Sequence, residues 1–111
     1  MSKRTDKEFL LDILEAISRI ELYTKGLNYR TFLQKIEKQD AVLRNFEIIG
    51  EAIKNISENL RKKYDDVQWK EIAGLRDKVI HFYFGVNWDI IWKAVEDKLP
   101  ELKEKVKKIL Q

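Results

Sequence analysis

Apolar residues recur along this chain at steps of three and four, the spacing that gathers side chains on one face of an α-helix. Leu10, Ile13, Ile17 and Ile20 set the first stripe, widened by Phe9 and Ala16, and predict a helix from about Thr5 to Tyr23. Gly26 and Asn28 break it. Asn28 or Thr31 is then placed to cap a short helix carrying Phe32, Leu33 and Ile36, which gives way around Gln39-Asp40. The strongest period follows. Val42, Phe46, Ile49, Ile53, Ile56 and Leu60 step by four, three, four, three and four, the seam of one long bundle helix. Gly50 inside that helix costs roughly 1 kcal/mol relative to Ala, which a close approach by another helix would justify.

After Tyr64-Asp65-Asp66 a loop leads to Trp69, and a helix is expected from near Lys70 with Ile72, Leu75, Val79 and Phe82 buried and Gly85 as its stop. Asn87 caps the last long element. There Trp88, Ile91, Val95, Leu99, Leu102, Val106 and Ile109 hold one register across Pro100, which removes a backbone donor and should kink the helix or restart it. No strand alternation, repeat or low-complexity tract interrupts the pattern. The expected fold is all-α, an up-and-down bundle of four or five helices in a single domain over residues 1–111.

Composition narrows the chemistry. At 111 residues and 13.3 kDa the chain has room for one core. Cysteine is absent, which excludes disulfides, thiolate zinc sites and thiol catalysis, and a single histidine argues against a metal site built of imidazoles. No metal or cofactor is therefore expected. A net charge of +3 permits nucleic acid as a partner without demanding it. No apolar run approaches membrane-spanning length, and Met1-Ser2-Lys3-Arg4-Thr5-Asp6-Lys7 lacks the apolar stretch of a signal peptide, so a cytoplasmic protein is expected.

The one histidine lies in Arg76-Asp77-Lys78-Val79-Ile80-His81-Phe82-Tyr83. Arginine carries a permanent charge on a fork of donors suited to phosphate, and imidazole exchanges a proton near neutral pH. Together they are the minimum for cutting a phosphodiester without a metal. At about 100° per residue, Arg76, Ile80 and Tyr83 share one helical stripe, and Asp77 and His81 share a neighbouring one. An aspartate one turn before a histidine can fix its tautomer and raise its basicity. Arg76 and His81 lie roughly 140° apart around the axis, so one isolated helix would not aim both at the same phosphate. A two-fold partner would place two motifs across one groove. On spacing alone, the commoner outcome for such an Arg–His pair is a surface or interface contact.

Arg44, Glu47 and Glu51 form a second charged cluster near one face of the long helix. A salt-bridge ladder on a solvated face is slightly favoured for them, against a role for Glu47 or Glu51 in orienting Arg76 from the neighbouring helix. The tryptophans and Phe82 are expected in the core or an interface. Lys103, Lys105, Lys107 and Lys108 spread around their helix and are expected to face solvent.

Arg76-Asp77-x-x-x-His81-x-Tyr83 resembles the R-x4-H-x-Y motif of HEPN-domain proteins, specifically HepT-like toxins. The segments Asp40-Ala41-Val42-Leu43-Arg44-Asn45 and Glu47-Ile48-Ile49-Gly50-Glu51-Ala52 resemble that family's long helix. Trp69-Lys70-Glu71-Ile72-Ala73-Gly74-Leu75 resembles its approach to the motif, and Trp92 with Leu99-Pro100-Glu101-Leu102 resembles its tail. Nearly the whole chain is covered. The resemblance implies an all-α homodimer whose two motifs line a shared cleft and cut RNA without a metal. His81 would then serve as general base or acid, Arg76 would stabilise the charge on phosphorus, and Asp77 would support them. It further implies an MntA-like minimal nucleotidyltransferase antitoxin as partner, which silences the toxin by transferring AMP to Tyr83. The alternative is a non-catalytic helical dimer that binds such a nucleotidyltransferase or presents nucleotide to it. A purely structural four-helix dimer is the third possibility.

Overall fold

In a computed structural model of the chain, the described residues are 3–81 and 87–111, with side chains described at all of these except 76 and 78–81. The architecture is all-α. Helix α1 (Asp6–Thr24) opens on a capping box: Thr5 Oγ1 accepts the Glu8 N–H at 3.2 Å, and the Glu8 carboxylate accepts the Thr5 N–H at 3.3 Å. Its stripe of Leu10, Ile13, Ala16, Ile17 and Ile20 is buried, as the periodicity requires. Gly26 then turns the chain with φ +77°, a left-handed conformation that only glycine adopts without strain. A second reciprocal box starts α2 (Tyr29–Leu33): Asn28 Oδ1 accepts the Thr31 N–H and Thr31 Oγ1 accepts the Asn28 N–H, both at 2.9 Å.

Helix α3 (Ile36–Asn55) departs from the expected boundaries at both ends. The break falls at Gln34-Lys35 instead of Gln39-Asp40. Gln39 is buried inside α3, and its Nε2 donates to Leu33 O at 3.4 Å, so it holds the α2–α3 turn closed. Ile36 belongs to this helix and is 72% exposed, outside the short helix's buried face. At the other end Ile56 leaves the helix in an extended conformation (φ −71°, ψ 139°), and Ser57 caps a separate helix, α4 (Glu58–Lys63). The seam is therefore broken before Leu60. Ile56 stays buried although it is no longer helical, which is why the apolar period runs on unbroken through a real chain bend. The bend is tied down from α1, where Asp6 accepts the Ser57 N–H at 2.8 Å and its hydroxyl at 2.6 Å. Gly50 is buried on α3, which packs against both α1 and α5 (Trp69–His81).

Val67 and Trp69 are buried at the start of α5, and the Trp69 indole N–H donates to Tyr64 O at 3.0 Å. Ile72 and Leu75 face the core as expected; Phe82, Gly85 and the Val79 side chain lie outside the described residues. Asn87 caps α6 (Trp88–Lys93), which passes through a π-helical turn (Ala94–Lys98) into α7 (Leu99–Leu110). Pro100 lacks an N–H, and its ring crowds the carbonyl one turn back. The chain meets this by widening the preceding turn, with the Leu99 N–H reaching back five residues to Ala94 O. Pro100 thus falls in the first turn of α7, as expected, and Ile91, Leu99, Leu102 and Val106 all stay buried.

Helix α1 packs on α3 and α7, and α2 packs on α3. Phe32, fully buried, meets Trp88 edge-on at 5.6 Å and Trp92 at 5.0 Å, so α2 and α6 share an aromatic cluster. The C-terminal lysines do not all face solvent. Lys103 pairs with Glu21 of α1 at 3.0 Å, and Lys105 pairs with Glu101 at 3.0 Å and donates to Asp66 O at 2.6 Å. Among the described residues no helix is long and apolar enough to cross a membrane.

Candidate functional site

Arg76 and His81 both lie on α5, and His81 is its last residue. The helix is unbroken between them, so their backbone positions are about 140° apart around the axis and roughly 7.5 Å apart along it. The side chains of Arg76, Ile80 and His81, and the whole of Tyr83, lie outside the described residues. What the structure gives is the scaffold that presents them: a helix anchored at its start by Trp69, Ile72 and Leu75 and packed along its length on α3.

Asp77 is the described member of the motif. Its side chain is half-exposed, and Lys54 of α3 approaches its Oδ1 at 3.8 Å. Such an exposed pair contributes little stability, roughly 0–1 kcal/mol. It does tie the motif helix to α3 one turn before His81.

Glu47 and Glu51 are brought together at the boundary between α1 and α3. They line a groove of about 320 Å³ between α1 and α3 with Arg4, Asp12, Arg44 and Asn55. Arg4 holds Asp12 at 2.7 Å and lies over the Phe9 ring at 4.8 Å. The hydrogen bond to Asp12 pushes the Arg4 guanidinium above its ordinary range. Arg44 makes no ion pair with Glu47 or Glu51 among the described residues, so the expected ladder does not form. Asp77 does not line this groove. It lies at the end of a second one, of about 740 Å³, between α4 and α5. No cluster of three or more His, Asp or Glu side chains suited to a metal exists among the described residues.

Sequence spacing does not locate either groove, because each is made by side chains from more than one helix. The signal for the second is the basic run Arg61-Lys62-Lys63 at the end of α4, which the hydrophobic pattern passes over.

An all-α bundle that carries an Arg–x4–His pair on a buried-face helix defines a class, and comparison of sequences says which. The Ribonuclease HepT-like family matches residues 13–109, and the chain belongs to that family. It is 44% identical over 107 residues to the Probable ribonuclease HepT of Thermococcus cleftensis, covering 96% of this chain and 97% of that protein. It is 42% identical over its full 111 residues to a protein of Methanocaldococcus jannaschii named as a putative RNase, covering 92% of that protein. A longer protein of the same organism, named as a gamma-glutamylcyclotransferase and putative RNase, is 46% identical over 105 residues, and this chain matches 47% of its length. No solved structure matches the chain.

Proposed function

We propose that this protein is a metal-independent endoribonuclease acting as the toxin of a toxin–antitoxin pair. The observation that carries the reading is membership of the HepT-like ribonuclease family together with Arg76 and His81 on one continuous helix. In this reading His81 takes the proton from a ribose 2′-hydroxyl as its oxygen attacks the adjacent phosphorus. The P–O bond to the 5′-oxygen breaks, and that oxygen leaves with a proton returned by imidazole, giving a 2′,3′-cyclic phosphate and a 5′-hydroxyl end. Arg76 stabilises the charge that builds on the phosphoryl oxygens, a permanent cation in the role a metal would otherwise fill. Asp77, one turn before His81, holds the imidazole, while Glu47 or Glu51 of α3 steadies Arg76. Two copies related by a two-fold axis supply the shared cleft that one helix cannot form alone.

Silencing follows from Tyr83, the tyrosine of the R-x4-H-x-Y motif, seven residues after Arg76 in the sequence. An MntA-like nucleotidyltransferase partner transfers AMP from ATP: the phenolic oxygen attacks the α-phosphorus, and pyrophosphate leaves. The added negative phosphate then repels RNA and fills the cleft.

The test is expression in cells with and without the nucleotidyltransferase, followed by intact mass of the purified protein. Wild type alone arrests growth and His81→Ala does not. With the partner, wild type gains AMP-sized mass and loses toxicity, whereas Tyr83→Phe gains none and stays toxic. Equal toxicity of wild type and folded His81→Ala contradicts the assignment.

A further inference from the structure

The α4–α5 groove is lined by Arg61, a half-buried cation. Arg61 Nε is buried and has no hydrogen-bond partner, and Arg61 makes no ion pair among the described residues. The positive charge of Arg61 is therefore not offset by an ion pair with a carboxylate among the described residues. Other charges in the groove are mostly matched. Glu58 pairs with Lys62 at 3.6 Å, Asp77 is approached by Lys54 at 3.8 Å, and Glu71 pairs with Lys98 at 3.4 Å. Lys70, exposed on the first turn of α5, has no ion pair among the described residues. Against these two unmatched cations stands Asp65.

Helical register links the groove to the motif. Lys70, Ala73 and Asp77 line it from α5 at steps of three and four, so they mark one face of that helix. The next position on the same face is His81. Lys70 and Asp77 lie about 10 Å apart along the axis, so the groove runs along α5 toward the residue assigned above to proton transfer.

We propose that Arg61 and Lys70 bind phosphates of the RNA strand beside the scissile one, making the α4–α5 groove the track along which substrate reaches His81. This rests on the ribonuclease reading and adds to it the residues that hold the strand. Arginine suits the inner position because its fork takes two phosphate oxygens in one plane, and Lys70 serves as a point charge at the rim. Neither touches the reacting atoms, so both act in binding and leave the chemical step alone.

The experiment measures binding of the full chain to single-stranded 2′-O-methyl RNA, which lacks the nucleophile, by fluorescence anisotropy across a salt series. Cleavage of unmodified RNA is followed in parallel. Arg61→Gln and Lys70→Glu are expected to weaken binding about 5- to 20-fold each and to lower the salt slope by roughly 0.7 for each phosphate left without its cation. KM for cleavage should rise and kcat hold. Lys93→Gln, exposed on α6, is the control and should bind as wild type. Circular dichroism checks folding, and Lys70→Glu keeps the test open if the half-buried Arg61 variant unfolds.

Wild-type binding by folded Lys70→Glu and Arg61→Gln overturns the proposal, and if wild type still cleaves, the ribonuclease reading stands without it. Loss of binding in both variants with a wild type that binds but never cleaves supports the track and overturns the catalytic reading. Unchanged RNA binding with lost capture of the nucleotidyltransferase would assign the groove to a protein partner and overturn the proposal. Failure of wild type to bind RNA at all overturns both.

Discussion

Replacing Asp6 by alanine should loosen the corner between α3 and α4. Asp6 accepts two hydrogen bonds from Ser57, at 2.8 Å to its N–H and 2.6 Å to its hydroxyl, across 51 residues of sequence. It also stands in the first turn of α1, where a negative charge is favoured by roughly 0.3–1 kcal/mol. Bonds to a charged acceptor typically contribute about 1.5–3 kcal/mol, but both are solvent-accessible, so half of the lower figure or somewhat more is reasonable for each. The sum is about 2 kcal/mol, which for a domain of this size lowers Tm by roughly 8–10 °C. Asp6→Asn removes the charge and keeps one acceptor oxygen, an amide nitrogen taking the place of the other, and should lose about half as much. The assay is thermal and urea unfolding followed by circular dichroism, with Ser57→Ala completing a double-mutant cycle. Ser57→Ala also removes the α4 cap, since Ser57 Oγ accepts the Leu60 N–H at 3.2 Å, at about 1 kcal/mol. The double variant should cost about 1 kcal/mol less than the sum of the singles. An Asp6→Ala protein within 0.3 kcal/mol of wild type (on the order of the error in such cycles), or strict additivity, would refute the idea that this contact holds the bend.

Other consequences are as direct. A Cβ built on Gly74 meets nothing within 4 Å, so Gly74→Ala should stabilise the motif helix by about 1 kcal/mol, while Gly26→Ala, forced to φ +77°, should cost roughly 1–2 kcal/mol; chemical denaturation distinguishes the signs. Phe32→Ala, which empties the site between Trp88 and Trp92, should cost about 3–5 kcal/mol and raise tryptophan exposure to a fluorescence quencher. Burial, and then the nearby Asp89 carboxylate, push the Tyr29 phenol above its ordinary value of 10.0. Its folded state thus holds the proton more tightly. Its contribution to stability is complete below pH 10 and is lost as pH rises through the folded value. Asp89→Asn should lower the Tyr29 midpoint in a phenolate absorbance titration.

Local signals proved legible where one residue type has one physical job. Asn28 and Asn87 cap the helices their positions suggest, and the α1 stripe is buried at every expected position except Phe9, which is half-buried. The period misleads where an apolar side chain reaches the core from a non-helical backbone, as Ile56 does, and where a π turn absorbs an extra residue without disturbing the register, as before Pro100. For the candidate site, the placement of Arg76, Asp77 and His81 on a single helix is readable from spacing alone. The surroundings of Asp77, Arg44 and Glu47 are not, because they depend on which helices become neighbours. Arg44 lines up with two glutamates on paper, yet opens into a groove shared with Arg4 and Asp12.

The central claim concerns Arg76 and His81, and single-turnover cleavage of labelled RNA in EDTA tests it most directly, with intact mass confirming an unmodified Tyr83. Wild type is expected to cut and leave 2′,3′-cyclic phosphate ends. Folded His81→Ala and Arg76→Ala should each be slowed by about 10²- to 10⁴-fold. Cleavage by either variant at the wild-type rate, or no cleavage by unmodified wild type, would contradict the account.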